Sequence, residues 1–125
     1  MLKLAKKLWP LNRSLSGEGV EQTLSLIKKE IPIKVLSFKS GLKVFDWKIP
    51  KVWEVNQAWL KNKENKKIID FKKNNLHVVG YSIPTKKLLS KKKLLSYIHS
   101  LPNQPNAIPY VTSYYKKTYG FCISH

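Results

Sequence analysis

Val20-Glu21-Gln22-Thr23-Leu24-Ser25-Leu26-Ile27-Lys28-Lys29-Glu30-Ile31-Pro32-Ile33-Lys34-Val35 holds the change of period on which the fold class turns. Up to Ile31 the apolar residues Val20, Leu24, Ile27 and Ile31 recur at helical spacing and fall on one face. Pro32 cannot continue that helix, because it lacks an N–H and its ring collides with the preceding turn. From Ile33 the spacing shortens towards two, first in Ile33 and Val35 and then in Phe45, Trp47 and Ile49, which is the period of a strand. A helical start followed by strands predicts an α+β fold.

Upstream, Leu4, Ala5, Leu8 and Trp9 share a helical face opposite Lys3, Lys6 and Lys7, and Pro10 ends this short amphipathic helix. The polar turn from Asn12 to Gly19 leads into the second helix. Ser16 is the expected N-cap, Glu18 and Glu21 suit the positive end of the helix dipole, and Lys28 and Lys29 suit the other end. Downstream, Ile33 and Val35 are expected to pair with Phe45 to Ile49 around a turn at Ser40-Gly41, and the alternation resumes in Trp53, Val55 and Trp59. Lys61 to Lys67 reads as an exposed loop. Ile68 to Phe71 and Leu76 to Tyr81 read as a hairpin about Asn74-Asn75, since asparagine tolerates the positive φ of tight turns. A further helix is expected after Pro84, capped by Ser90, with Leu94, Leu95, Ile98 and Leu101 as its apolar face and Pro102 as its end. Lys91, Lys92 and Lys93 oppose the dipole in its first turn, so this helix needs packing or an anionic neighbour. Tyr110 to Tyr115 and Tyr119 to Ser124 close the chain as strands rich in aromatic residues. The sequence stops at His125 without the polar tail expected after a last element, which suggests continuation elsewhere.

Composition bounds the function. The 125 residues, 42% of them hydrophobic and fourteen aromatic, suffice for one core and are too apolar for a disordered tail. The net charge is +17, but Arg13 is the single arginine among 24 basic residues. Lysine point charges suit planar, bidentate recognition of phosphate or guanine poorly, which argues against nucleic acid as the partner. One cysteine, Cys122, excludes an internal disulfide and reads as a small buried residue. With no run of about 18 apolar residues and no signal peptide, the expected location is the cytoplasm, with no membrane partner.

Chemistry-bearing residues are sparse. His77, His99, His125, Cys122 and seven carboxylates show no recognised metal spacing, and Cys122 and His125, three apart on a strand, fall on opposite faces. No nucleophile elbow or phosphate loop is present, and Gly17-Glu18-Gly19 is too weak a signal for a nucleotide site. The sequence therefore assigns no catalytic and no metal residue, and it leaves binding residues unknown. Asp46, between Phe45 and Trp47, could be desolvated by its neighbours, although an outward-pointing strand residue is the preferred reading. Trp47, Trp53 and Trp59, with Tyr110, Tyr114, Tyr115 and Tyr119, could stack on sugars or bases; for the tryptophans, period-two spacing favours core packing instead.

Several strings go beyond composition: Leu8-Trp9-Pro10-Leu11-Asn12-Arg13-Ser14-Leu15-Ser16-Gly17-Glu18-Gly19-Val20, Ser40-Gly41 with Val44-Phe45-Asp46-Trp47, Ile69-Asp70-Phe71, Asn74-Asn75-Leu76-His77-Val78-Val79-Gly80-Tyr81-Ser82, and Ile108-Pro109-Tyr110-Val111-Thr112-Ser113-Tyr114-Tyr115 followed by Gly120-Phe121-Cys122-Ile123-Ser124-His125. Together they resemble the N-terminal region of a bacterial aminopeptidase-like family related to the zinc exopeptidases. The resemblance implies that residues 1–32 are helices opening a peptidase-like core and that residues 33–125 are a β-rich inserted module of unknown function. It also implies a zinc site in the full-length family, with ligands beyond His125, so that this chain carries no cofactor and is inactive alone. The expected role is then a non-catalytic portion that shapes or covers the substrate cleft, with the downstream core as partner, in the same or a separate chain. Homo-oligomers through exposed apolar faces are a further expectation. Such proteins are associated with surface-polysaccharide clusters, which makes the aromatic residues candidates for glycan contact. Lys91 to Lys93 depart from the more acidic helix start that the family would have. The alternative is a stand-alone basic module for nucleic acid or an anionic glycan.

Overall fold

The computed structural model describes residues 2–114 and 116–125. The fold is α+β: two helices come first, and short strand pairs with one further short helix follow. The chain forms two compact units, Met1–Val55 and Asn56–His125, which differ in kind from the division expected after residue 32, where helix gives way to extended chain. No helix among the described residues is long and apolar enough to cross a membrane.

In the first unit, α1 (Leu2–Leu8) and α2 (Glu18–Lys28) form as the spacing predicts. The start of α2 corrects the expected cap. Gly17, not Ser16, is the N-cap, with φ 112° and ψ 176° and no side-chain capping bond. That backbone region is open essentially to glycine alone, so the turn is made where glycine stands. The orphaned N–H of Glu18 donates instead to the Glu54 carboxylate, 2.9 Å away, which supplies from 36 residues downstream the acceptor that a capping residue would have given.

Strands β1 (Lys43–Val44) and β2 (Trp47–Lys48) pair antiparallel, and the Ile49 N–H donating to the Leu42 carbonyl lengthens the ladder. The expected pairing of Ile33 and Val35 with this segment does not occur. The hairpin turns at Phe45-Asp46, with Phe45 at φ 53°, and Ser40-Gly41 is a second bend at its open end, with Gly41 at φ 87°. Two turns so close together leave only four residues to pair. Phe45 is consequently not a strand residue but a turn residue, 92% exposed, and Asp46 beside it is exposed in the turn.

The second unit contains every residue of the hydrophobic core found among the described residues: Ile69, Val79 and Cys122. Strands β3 (Trp59–Lys61) and β4 (Lys67–Asp70) pair as Trp59↔Asp70 and Leu60↔Ile69, with a bulge before Lys61. The polar tract Lys61 to Lys67 is thus the loop of this hairpin, closed by the Asn62 side chain accepting from the Lys66 N–H and by Asn65 at φ 63°. This corrects the hairpin expected about Asn74-Asn75. Asn74 is extended, and its side chain caps a single 3-10 turn, Asn75–His77, by accepting from the Leu76 N–H.

The last helix is likewise shorter than its apolar spacing implies. α3 (Lys91–Leu95) is capped by the Ser90 side chain, as expected, but it stops after five residues. Ile98–His99 is a strand, β5, pairing parallel with β6 (Phe121–Cys122). A first turn of three lysines and a β-branched Ile98 both disfavour prolonging the helix, while the Tyr97 and His99 carbonyls accept from the Phe121 and Ile123 N–H groups, 2.8 and 2.9 Å away. Bridges Val78↔Phe121 and Gly80↔Thr112 extend this pair on the other side of β6. The result is a small irregular array in which 97–99, 120–123, 78–80 and 111–113 lie side by side.

Candidate functional site

The array around β6 organises the chemistry of the second unit. Val79 and Cys122 are fully buried within it, and Gly120 stands where an added Cβ would lie 2.9 Å from the Tyr97 carbonyl oxygen and 3.0 Å from Val79 Cγ2. A carbonyl oxygen can only accept, so the 2.8 Å contact between His77 Nδ1 and the Cys122 carbonyl fixes His77 as the Nδ1–H tautomer. His125 Nδ1 lies 3.0 Å from Ser100 Oγ. Each of these histidines ties two segments of the array together.

Cys122 is buried, as its sequence position suggested. Desolvation pushes its thiol above the ordinary value of 9.0, against the opposing hydrogen bond from the Val111 backbone. A raised folded-state value means that this contribution to stability is complete below the unfolded thiol range and is lost as the pH climbs above about 9. The thiol is expected to react with iodoacetamide at pH 8 at least about 100-fold more slowly than in the unfolded chain, since modification waits for opening; labelling at the unfolded rate would show the sulfur to be reachable from solvent.

Zinc does not fit this donor set. Among the described residues no three His, Cys, Asp or Glu side chains converge, the Cys122 sulfur is enclosed, and the Nδ1 atoms of His77 and His125 are engaged. The carboxylate with a resolved perturbation, Asp70, is held low by the Lys67 ammonium hydrogen-bonded at 2.7 Å and then by the Lys72 N–H, an arrangement that fastens the end of β4.

Two tyrosine pairs lie on the array. Tyr97 and Tyr119 stack, with ring centroids 4.4 Å apart and planes 15° from parallel, while Tyr81 and Tyr114 meet edge to face at 5.1 Å. Lys87 Nζ lies 5.6 Å from the Tyr119 centroid and Lys93 Nζ 5.9 Å from that of Tyr97, within the range of cation–π attraction. The hydrogen bond with Tyr97, followed by desolvation and the Tyr97 charge, raises the Tyr119 phenol further above its usual range, so it stays protonated at neutral pH. Of the aromatic residues named from sequence, Tyr119 and Tyr114 enter these two pairs. Trp47 and Trp53 belong to the first unit, Tyr110 is largely exposed by itself, Trp59 lies under Lys61 Nζ at 4.8 Å, and Tyr115 lies outside the described residues. None of the tryptophans is buried, which corrects their assignment to the core: two- to four-residue strands in two-stranded ribbons leave both faces open. Sequence reasoning missed Tyr97 and Lys87, because the helical pattern around Leu94 and Ile98 absorbed that stretch, and it named Lys93 only as one of three lysines opposing the helix dipole.

A protein of Clostridium acetobutylicum named "Putative polysaccharide biosynthesis protein with aminopeptidase-like domain" is 45% identical to the chain over 121 residues. That match takes in 97% of this chain and 28% of the relative, so the chain spans little more than a quarter of the relative's length. A crystal structure described as a putative peptidase of the same organism superposes with a TM-score of 0.91 at 44% identity, covering 98% of this chain and 29% of the other. The same fold thus recurs, over almost all of this chain, inside a much longer protein. Residues 52–125, which contain the β6 array, the buried cysteine and both tyrosine pairs, match a domain of unknown function, and the chain belongs to that family, DUF2172.

Proposed function

We propose that the chain acts as a non-catalytic module of an aminopeptidase-like protein, where it shapes or covers the substrate cleft. The observation that carries this reading is the coverage: nearly the whole chain corresponds to under a third of a peptidase-like relative. On this reading the zinc that such a peptidase would use belongs to the other part of the protein. The first unit supports a docking role, because none of its described residues is buried except Gly17, and Leu2, Trp9, Leu36, Phe38, Phe45 and Val52 are exposed. Large apolar side chains left exposed in this number are available for burial against a partner.

The chain supplemented with zinc is expected to release no N-terminal residue from aminoacyl substrates; metal-dependent release above the blank would overturn its non-catalytic assignment. For the cleft role, the relevant test replaces the matching segment of the Clostridium acetobutylicum protein with a flexible linker. Bound metal should be unchanged and KM for peptide substrates should rise, whereas an unaltered KM with metal retained would remove that role. A second reading, a basic binding module for nucleic acid or an anionic glycan, is favoured by the charge distribution, since residues 56–125 hold thirteen lysines, no arginine, and only Glu64 and Asp70 as acids.

A further inference from the structure

We propose that the stacked Tyr97–Tyr119 pair, with Lys87 and Lys93 over its two rings, is a binding site for an acidic glycan whose carboxylates lie against the two ammonium groups. The inference is independent of any peptidase association. It begins with charge that stability alone does not explain. Lys91, Lys92 and Lys93 open α3 without an acidic residue in the first turn, where cations meet the positive end of the helix. Lys87 and Lys93 are then drawn towards one aromatic pair. Among the described residues the single salt bridge is Lys67 to Asp70, at the end of β4, so no ion pair found among them engages Lys87 or Lys93. Like charges gathered at a surface repel one another, and an anion seated between them relieves that repulsion.

The geometry selects the class of anion. Tyr97 and Tyr119 use their inner faces on each other, and the lysines lie over the rings, so neither ring offers the open face on which successive bases of a single strand would stack. The unit has no arginine to grip phosphate in bidentate fashion. What the site presents is ammonium groups, which pair with carboxylates, and two phenol hydroxyls, which exchange hydrogen bonds with sugar hydroxyls. A polymer of uronic acids carries both partners in every residue.

The test is titration of the chain with polygalacturonate by calorimetry at low and moderate salt, with dextran and a single-stranded DNA as comparators. Polygalacturonate should bind, more weakly as salt rises, and dextran should not. Lys87→Ala with Lys93→Ala should weaken binding about tenfold or more, the size expected on losing two charge-assisted contacts. Tyr97→Phe with Tyr119→Phe, which preserves the stack and removes the hydroxyls, should weaken it by a smaller factor with an unchanged circular dichroism spectrum. Lys72→Ala with Lys73→Ala, equal in charge and outside the patch, should leave affinity within about twofold. An equal loss from both lysine pairs would show diffuse attraction and overturn the site. Tighter binding of the DNA would overturn the ligand class, and an absence of polygalacturonate binding at low salt would overturn the proposal outright.

Discussion

Gly19→Ala is expected to loosen the start of α2 despite replacing glycine with the best helix former. An ideal Cβ at residue 19 would lie 1.8 Å from the Asn12 carbonyl oxygen and 2.8 Å from its carbon. These are backbone atoms, which no rotamer change can withdraw. The helix gains about 1 kcal/mol from alanine, while overpacking of this kind costs about 3 kcal/mol. The collision therefore wins by about 2 kcal/mol, and hydrogen exchange of the α2 amides should accelerate about 30-fold. Exchange as slow as in the native chain, or slower, would mean that the 10–12 turn moves away without cost. The neighbouring Gly17 is required for a different reason: its φ of 112° admits a side chain only with strain. The two glycines of Gly17-Glu18-Gly19 thus have structural duties, one conformational and one steric, which accounts for the motif without a nucleotide.

Val79→Ala is expected to cost about 2.5 kcal/mol, measured as a fall in the urea midpoint of the transition that exposes Cys122. Val79 is 2% exposed and is one of three buried hydrophobic residues found among those described. Losing two methyl groups from such a site forfeits about 1.6 kcal/mol of transfer free energy, and the remaining void adds the rest. A core this small offers few other side chains to fill the space. Ile68→Ala serves as the comparison, because Ile68 is exposed and should change stability by no more than about 0.5 kcal/mol. If both substitutions shift the midpoint equally, the array around β6 is not the stabilising centre of the second unit.

Two of the ordered strings that carry the resemblance to an aminopeptidase-like family, Asn74 to Ser82 and Ile108 to Tyr115, contain segments of the array, residues 78–80 and 111–113. Gly80 on one side and Val111 and Ser113 on the other are joined there by hydrogen bonds: the Gly80 N–H donates to the Val111 carbonyl, and the Ser113 N–H and Oγ both donate to the Gly80 carbonyl, while Ser82 Oγ donates back to the Val79 carbonyl within its own segment. Positions fixed by close backbone approach tolerate few residue types, which is why they were informative as strings while remaining weak as strand patterns.

The α+β class, helices α1 and α2, the Ser90 cap, the polar Lys61 to Lys67 loop and the burial of Cys122 could all be read from the amino-acid order. Each depends on interactions between residues a few positions apart, or on a residue type with one strong preference. The strand partners could not be read in this way. Period-two spacing says that a segment is extended but not what it lies beside, and in ribbons of two to four residues it does not even say which face is covered. Ile98 passed from an expected helix to β5 because Tyr97 and His99 found partners at Phe121 and Ile123. The α2 cap passed from Ser16 to Gly17 and Glu54 because a carboxylate 36 residues away reached the Glu18 N–H. The Tyr97–Tyr119 pair, with Lys87 and Lys93 beside it, is of the same kind: four residues spread over more than thirty positions become one surface only when β5 and β6 align, since side-chain chemistry is local to the residue whereas proximity belongs to the fold.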